Sequence, residues 1–143
     1  MRWTLRPATA NDLEELVELR AVAMRPDLER LGRYDEHRVR QRLRDAYTPE
    51  HTRIIEVDGE FAGSISMRPA EDRQWLEHFY LAPQHQGRGV GSAVLRSVLD
   101  EAAGTTVALN VLQGSPARKL YERHGFVTEA EDPVDVFMVR KFL

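Results

Sequence analysis

The chain contains no cysteine. That fits a reducing compartment and excludes an acyl-cysteine intermediate, so any acyl transfer must be direct or use another nucleophile. No apolar run approaches the length of a membrane span, and Met1-Arg2-Trp3-Thr4-Leu5-Arg6-Pro7 lacks the apolar stretch of a secretory signal. The expected location is cytoplasmic. Charge of one sign is also lacking: the net charge of −3 gives no reason to expect nucleic-acid binding. His37, His51, His78, His85 and His124 show no metal-ligand spacing, and no metal is expected. Repeats, low-complexity tracts and linkers are absent. With 143 residues, 42% apolar and 30% charged, the chain is read as one soluble domain over 1–143.

What is present is a concentrated run of glycine. Tyr80-Leu81-Ala82-Pro83-Gln84-His85-Gln86-Gly87-Arg88-Gly89-Val90-Gly91-Ser92 follows an apolar strand, passes a proline and opens a helix. The helical phase begins at Val90 and recurs at Val94, Leu95, Val98 and Leu99. Glycines at such a junction let backbone N–H groups face a ligand with no Cβ in the way. The helix adds its unpaired N-terminal donors and the positive end of its dipole, and Arg88 a full charge. The turn is built for a phosphate or pyrophosphate. Its spacing is one residue tighter than the dinucleotide fingerprint, and no Gly-Lys-Ser/Thr follows for a nucleotide-triphosphate loop.

The pattern elsewhere predicts a mixed sheet. Trp3 to Arg6 reads as a strand, and Thr9 or Asn11 caps a helix with an apolar face at Leu13, Leu16, Val17, Leu19 and Ala23. Residues 24–34 read as irregular because of Pro26 and Gly32. A second helix runs from about Asp35 to Tyr47, with arginines 38, 40, 42 and 44 scattered around it. Asp58-Gly59 turns a hairpin between Ile54–Val57 and Glu60–Ile65. Strands follow at 75–81 and 107–112, separated by the third helix over about 89–103, which implies a parallel pair. Ser115-Pro116 opens a fourth helix that stops at Gly125, and strands at 126–130 and 134–142 close the sheet.

Gln86-x-x-Gly89-x-Gly91 resembles the acyl-CoA pyrophosphate loop of the GCN5-related N-acetyltransferases (GNAT enzymes). A second block, Ala117-Arg118-Lys119-Leu120-Tyr121-Glu122-Arg123-His124-Gly125-Phe126, is similar to that family's A-x-x-L-Y-E-x-x-G-F, and the order of elements agrees over nearly the whole chain. The resemblance implies an α/β, three-layer fold: about seven strands splayed between the fourth and fifth, with four helices on the two faces. It implies acetyl-CoA as acyl donor and direct transfer to a primary amine of a small molecule, protein or peptide. The pantetheine arm would pair with main chain at Phe79 and Leu81. The pyrophosphate would sit on the amides of Gln86, Gly87, Arg88, Gly89, Val90, Gly91 and Ser92. A backbone N–H of the fourth strand would hold the oxyanion. Family members often pair as dimers, which makes a homodimer through the closing strands an expectation.

Such a transfer has two proton problems: an ammonium with a pKa of about 10 must lose a proton, and the leaving thiolate must gain one. The resemblance makes Tyr121 the acid, whereas packing alone would make it a core tyrosine. Glu77 is the candidate base, with ammonium anchor and bystander as the other readings. Strand alternation puts it on one face with Phe79 and Leu81, and His78 on the other. Trp75 and Tyr80 are read as packing or cleft-wall residues. Relatives often place an asparagine just before the fourth helix, where this chain has Gly114-Ser115. Ser115 either bonds the cofactor or caps the helix, and Asn110 either faces the cleft or satisfies backbone. Acceptor choice falls to 24–34, the second helix and 67–74. The acids there, Asp27, Glu29, Asp35, Glu71 and Asp72, read as solvent-facing charges or a receptor for a cation. The competing function is a non-catalytic acyl-CoA-binding sensor or partner subunit.

Overall fold

Two successive isoleucines, Ile54 and Ile55, are both fully buried. Because side chains alternate across a strand, that requires cover on both faces of the sheet. The computed structural model describes residues 2–142. Its strands are β1 (Trp3–Pro7), β2 (Thr52–Val57), β3 (Glu60–Pro69), β4 (Gln74–Leu81), β5 (Val107–Leu112), β6 (Val127–Glu131) and β7 (Asp135–Arg140). They form one sheet in the order β1-β2-β3-β4-β5-β7-β6. The helices are α1 (Leu13–Arg30), α2 (Glu36–Ala46), α3 (Val90–Glu101) and α4 (Ala117–Arg123). On one face Leu16 and Val17 of α1 and Leu43 of α2 pack with Ile54. On the other, Val94, Leu95 and Val98 of α3 and Tyr121 of α4 pack with Ile55, Ile65, Leu109 and Met138. Each such aliphatic side chain, fully buried, contributes roughly 1.5–3 kcal/mol. The seven-stranded mixed sheet, four helices and three layers agree with the expectation from sequence.

Among the described residues only β4 and β5 run parallel, and they pair at just Gln74↔Val107 and Trp75↔Ala108. Beyond Trp75 the two strands diverge, leaving one edge of β4 unpaired. Trp75 packs on Phe137 of β7 with ring centroids 5.8 Å apart, which pins the closed end of this split. The open end is crossed by Arg30 at the end of α1, whose guanidinium donates to Asp27 and to the carbonyl of Gln113 after β5.

Two expectations from sequence need correcting. First, α1 continues to Arg30, through Pro26. Proline removes one helical N–H and orphans the carbonyl of Val22. Pro26 and Val22 lie on the solvent side, where water satisfies that carbonyl, so the helix persists. It ends at Gly32 (φ +69), where Arg33 N–H bonds Leu28 and Gly32 N–H bonds Glu29, the paired bonds of a Schellman stop. Second, the α2 arginines are not all scattered: Arg40 pairs with Glu18 and Arg44 with Glu14, tying α2 to α1.

Candidate active site

The strand lining the split is interrupted at its centre. Ser64 of β3 pairs with Tyr80, but Ser66 pairs with Glu77, so His78 and Phe79 together oppose Ile65. His78 sits at φ +48, in the left-handed region that costs a branched or bulky residue about 1–3 kcal/mol. Its carbonyl is held by Ser64 Oγ at 2.7 Å. This bulge shifts the alternation by one. Leu76, Phe79 and Leu81 pack into the α3/α4 core. Tyr80 turns to α1, where its hydroxyl accepts from Arg20 Nε at 3.0 Å and lies 3.3 Å from His78 Nδ1. Glu77 is therefore not on the Phe79 and Leu81 face, and His78 is not opposite it, contrary to simple period-two alternation. The hydrophobic phase carries the signal: apolar positions 76, 79 and 81 slip by one between 76 and 79.

The backbone beyond the bulge serves the split. Tyr80's carbonyl presses against Gly63 of β3, so the main-chain groups of Phe79 and Leu81 turn to the unpaired edge. Next comes the glycine loop. Gly87 and Gly89 have φ of +75 and +82, and an added Cβ at either would meet nothing within 4 Å. Ala93 N–H to Gly89 carbonyl is the first bond of α3. The amides of Gly87, Arg88, Gly89, Val90, Gly91 and Ser92 donate to no backbone carbonyl among the described residues. Val90 is buried and anchors the row, while Arg88 is exposed beside it. A concave array of free N–H groups at a helix start fits a pyrophosphate.

Gln86 is committed elsewhere. Its amide bonds Pro83 and its Nε2 donates to Leu81 carbonyl at 2.8 Å, so it braces the loop against β4. Ser92 Oγ lies 3.2 Å from His124 Nε2, and His124 Nδ1 lies 2.9 Å from Leu120 carbonyl. A carbonyl only accepts, so Nδ1 carries the hydrogen and Nε2 accepts from Ser92. The link fastens α4 to the head of α3. Ser115 Oγ accepts from Ala117 N–H at 3.2 Å, which is the capping role. Asn110 is exposed on β5.

Tyr121 projects from α4 and packs edge-on against Phe126, with centroids 5.7 Å apart. It is buried, and its hydroxyl finds no hydrogen bond among the described residues. Burial, reinforced by neighbouring Tyr80, holds that hydroxyl well above the usual phenol range. Tyr80 is pushed up to about 12, again chiefly by burial and partly offset by Arg20. Tyr80 thus belongs with the groups on the α1 face. There Arg68 makes a two-pronged pair with Glu77, at 2.9 and 3.2 Å. That bond raises the Arg68 guanidinium above its ordinary value. Burial lowers the pKa of His78 and keeps its ring neutral near pH 7.

Arg20, missed in the sequence, was visible there as a charge on the apolar stripe set by Leu13, Leu16 and Val17. Among the described residues, no group of three or more His, Asp or Glu is placed to hold a metal.

Comparison with known proteins agrees with this geometry. The family model described as Acetyltransferase (GNAT) family matches residues 13–126. Mouse N-acetyltransferase 8 is 31% identical over 93 residues, covering 58% of this chain and 41% of the mouse protein. The chain therefore spans less than half of that relative. Among solved structures, the PaiA N-acetyltransferase of Thermoplasma acidophilum, in complex with coenzyme A, superposes with a TM-score of 0.78. Its identity is 22%, over 99% of this chain and 100% of that one. Arabidopsis thaliana Naa50, in complex with a bisubstrate analogue, gives 0.73 at 19% identity, over 99% and 100%. A split sheet, a bulged strand at its edge, a row of free amides and a family match across most of the chain lead to one conclusion: this chain belongs to the GNAT acetyltransferase family.

Proposed function

We propose that this chain is an acetyl-CoA-dependent N-acetyltransferase that acts on a primary amine of a small molecule or peptide by direct transfer. The observation that supports it most is the row of unpaired amides from Gly87 to Ser92 beside the open β4–β5 split. Acetyl-CoA supplies a thioester whose carbonyl accepts the amine and whose thiolate departs. The amides at the head of α3 hold its pyrophosphate, and the main chain of Phe79 and Leu81 takes the pantetheine arm. A backbone N–H of β4 on its unpaired edge faces the charge that develops on the carbonyl oxygen. Tyr121, kept protonated by burial, donates to the departing sulfur. Both oxygens of Glu77 are engaged by Arg68, so its service as base requires that pair to open. His78, neutral and facing Tyr80, is the competing proton acceptor. The reaction forms one N–C bond, breaks one C–S bond, and releases one proton from the entering ammonium.

The test is thiol release from acetyl-CoA across a panel of amines, with Tyr121→Phe alongside. Turnover by the native chain should fall about 10²–10⁴-fold in the variant, with acetyl-CoA affinity unchanged. Stabilisation by acetyl-CoA without thiol release from any amine would make the chain a non-catalytic acyl-CoA-binding module.

A further inference from the structure

On the α1 side of the bulge sits a buried charge with no acidic partner among the described residues. Arg20 is only 8% exposed. Its Nε donates to Tyr80 hydroxyl at 3.0 Å and its Nη1 to Val39 carbonyl at 2.8 Å. Its Nη2 has no hydrogen-bond partner, and no carboxylate lies within ion-pair distance, among the described residues. Other arginines of the same layer are provided for: Arg25 pairs with Glu29, Arg30 with Asp27, Arg40 with Glu18 and Arg44 with Glu14. All four are more exposed than Arg20 and need a partner less. A guanidinium taken out of water without a counter-charge is costly, and a fold retains one where something else supplies the anion.

The surroundings do not supply it. Glu77 is the acid of this cluster, and Arg68 already occupies both of its oxygens. His78 is held neutral by burial. Arg20, Arg68 and Glu77 therefore sum to one positive charge behind β4. The free Nη2 of Arg20 leaves a charged donor open to a carboxylate. Tyr80 joins it to the bulged strand: its hydroxyl accepts from Arg20 and lies 3.3 Å from His78 Nδ1, the residue at the bulge.

We propose that Arg20 anchors a carboxylate carried by the acceptor, so that the acceptor is an aminocarboxylate with amine and carboxylate a few bonds apart, as in an amino acid. This rests on the N-acetyltransferase reading and narrows its substrate class. It also runs against a polycationic acceptor, which the excess positive charge would repel.

The experiment compares free amino acids, their carboxamides and a diamine such as putrescine as acceptors, in the native chain and in Arg20→Gln. Amino acids should be preferred over their carboxamides about tenfold to a hundredfold in kcat/KM. Arg20→Gln should abolish that preference mainly through KM, leaving acetyl-CoA affinity intact. A binding arm separates the two readings: the CoA-loaded protein should bind N-acetylamino acids at least tenfold more tightly than N-acetylamino amides. That preference without any thiol release would sustain the carboxylate anchor while the enzyme reading falls. Equal treatment of acid and amide by the native chain, or a preference for putrescine, overturns the anchor. So does a folded Arg20→Gln that keeps the preference. Should Arg20→Gln fail to bind acetyl-CoA, the comparison within the native chain decides.

Discussion

Replacing Gly63 by alanine tests whether the bulged strand is held by contact at its back. The new Cβ would lie 2.0 Å from Tyr80 carbonyl oxygen, 3.0 Å from its carbon and 3.1 Å from Leu81 Cα. All three are backbone atoms of β4, so no side chain can swing aside. Propensity alone predicts the opposite sign, because alanine in a strand interior is better than glycine by roughly 0.5–1 kcal/mol. To reach an ordinary contact the two strands must separate by over ~1 Å, although their ladder fixes neighbours at about 4.7–4.9 Å. Overpacking of this kind costs about 1–3 kcal/mol, and each ladder bond lost adds about 1 kcal/mol. About 3 kcal/mol is a fair total. An unfolding entropy of about 2.1 cal/mol/K per residue gives, for 143 residues, about 0.3 kcal/mol/K. The melting point should therefore fall by about 10 °C.

The control is Gly59→Ala. Its φ is +82 and nothing lies within 4 Å of an added Cβ, so it bears only the left-handed penalty of about 1–2 kcal/mol. Calorimetric melts of the two variants separate close approach from backbone conformation. A Gly63→Ala protein that melts no lower than Gly59→Ala would refute the reasoning. Because Gly63 pairs with Leu81 and lies against the Tyr80 carbonyl, Gly63→Ala should also lower kcat by more than tenfold at saturating acetyl-CoA.

Two further outcomes follow from the same structure. Gly89→Ala puts a methyl group into the open concavity of the amide row, so acetyl-CoA affinity, read by calorimetric titration, should fall at least tenfold. Its melting point should drop only as far as that of Gly59→Ala, since neither added Cβ meets a neighbour. Asp12 accepts from both amino groups of Arg6 and from Thr9 N–H, and the guanidinium holds its carboxyl below the ordinary carboxylate range. A depressed folded pKa stabilises above the unfolded value, about 3.9, and that contribution is lost as pH falls below it toward the folded value. Asp12→Asn should cost about 1–2 kcal/mol at pH 7, and its urea stability should show a smaller loss than the native chain below pH 4.

Much of the fold was legible because its signals are local and redundant. The Asp58-Gly59 hairpin has φ of +51 and +82, which is the left-handed pair that a two-residue hairpin turn of this kind demands. The stripe Val90, Val94, Leu95, Val98 and Leu99 is buried as its spacing requires. Asp35 accepts from Arg38 N–H at the start of α2, as a cap should. The misreading of 24–34 shows the limit of punctuation as a signal. Proline ends a helix when its orphaned carbonyl has no other donor, and exposure, which is a tertiary property, decides whether water provides one. Gly32 is a true stop, six residues beyond Pro26.

The site divides along the same line. The phosphate loop was readable because glycine spacing and helix phase are both carried by neighbouring residues. That the Gln86 side chain braces the loop was not readable, because side-chain commitments depend on where the Leu81 carbonyl points. The bulge was harder still. No glycine or asparagine stands at 78, and the strain of φ +48 is sustained by Ser64 Oγ on the adjacent strand. Yet one slip of register put Glu77 on the face opposite Phe79 and Leu81 and brought Tyr80 beside Arg20. Side-chain faces inferred from strand parity therefore invert at a bulge. The apolar phase across positions 76, 79 and 81 records that inversion in the sequence, because core burial must follow the backbone even where polar chemistry does not announce itself.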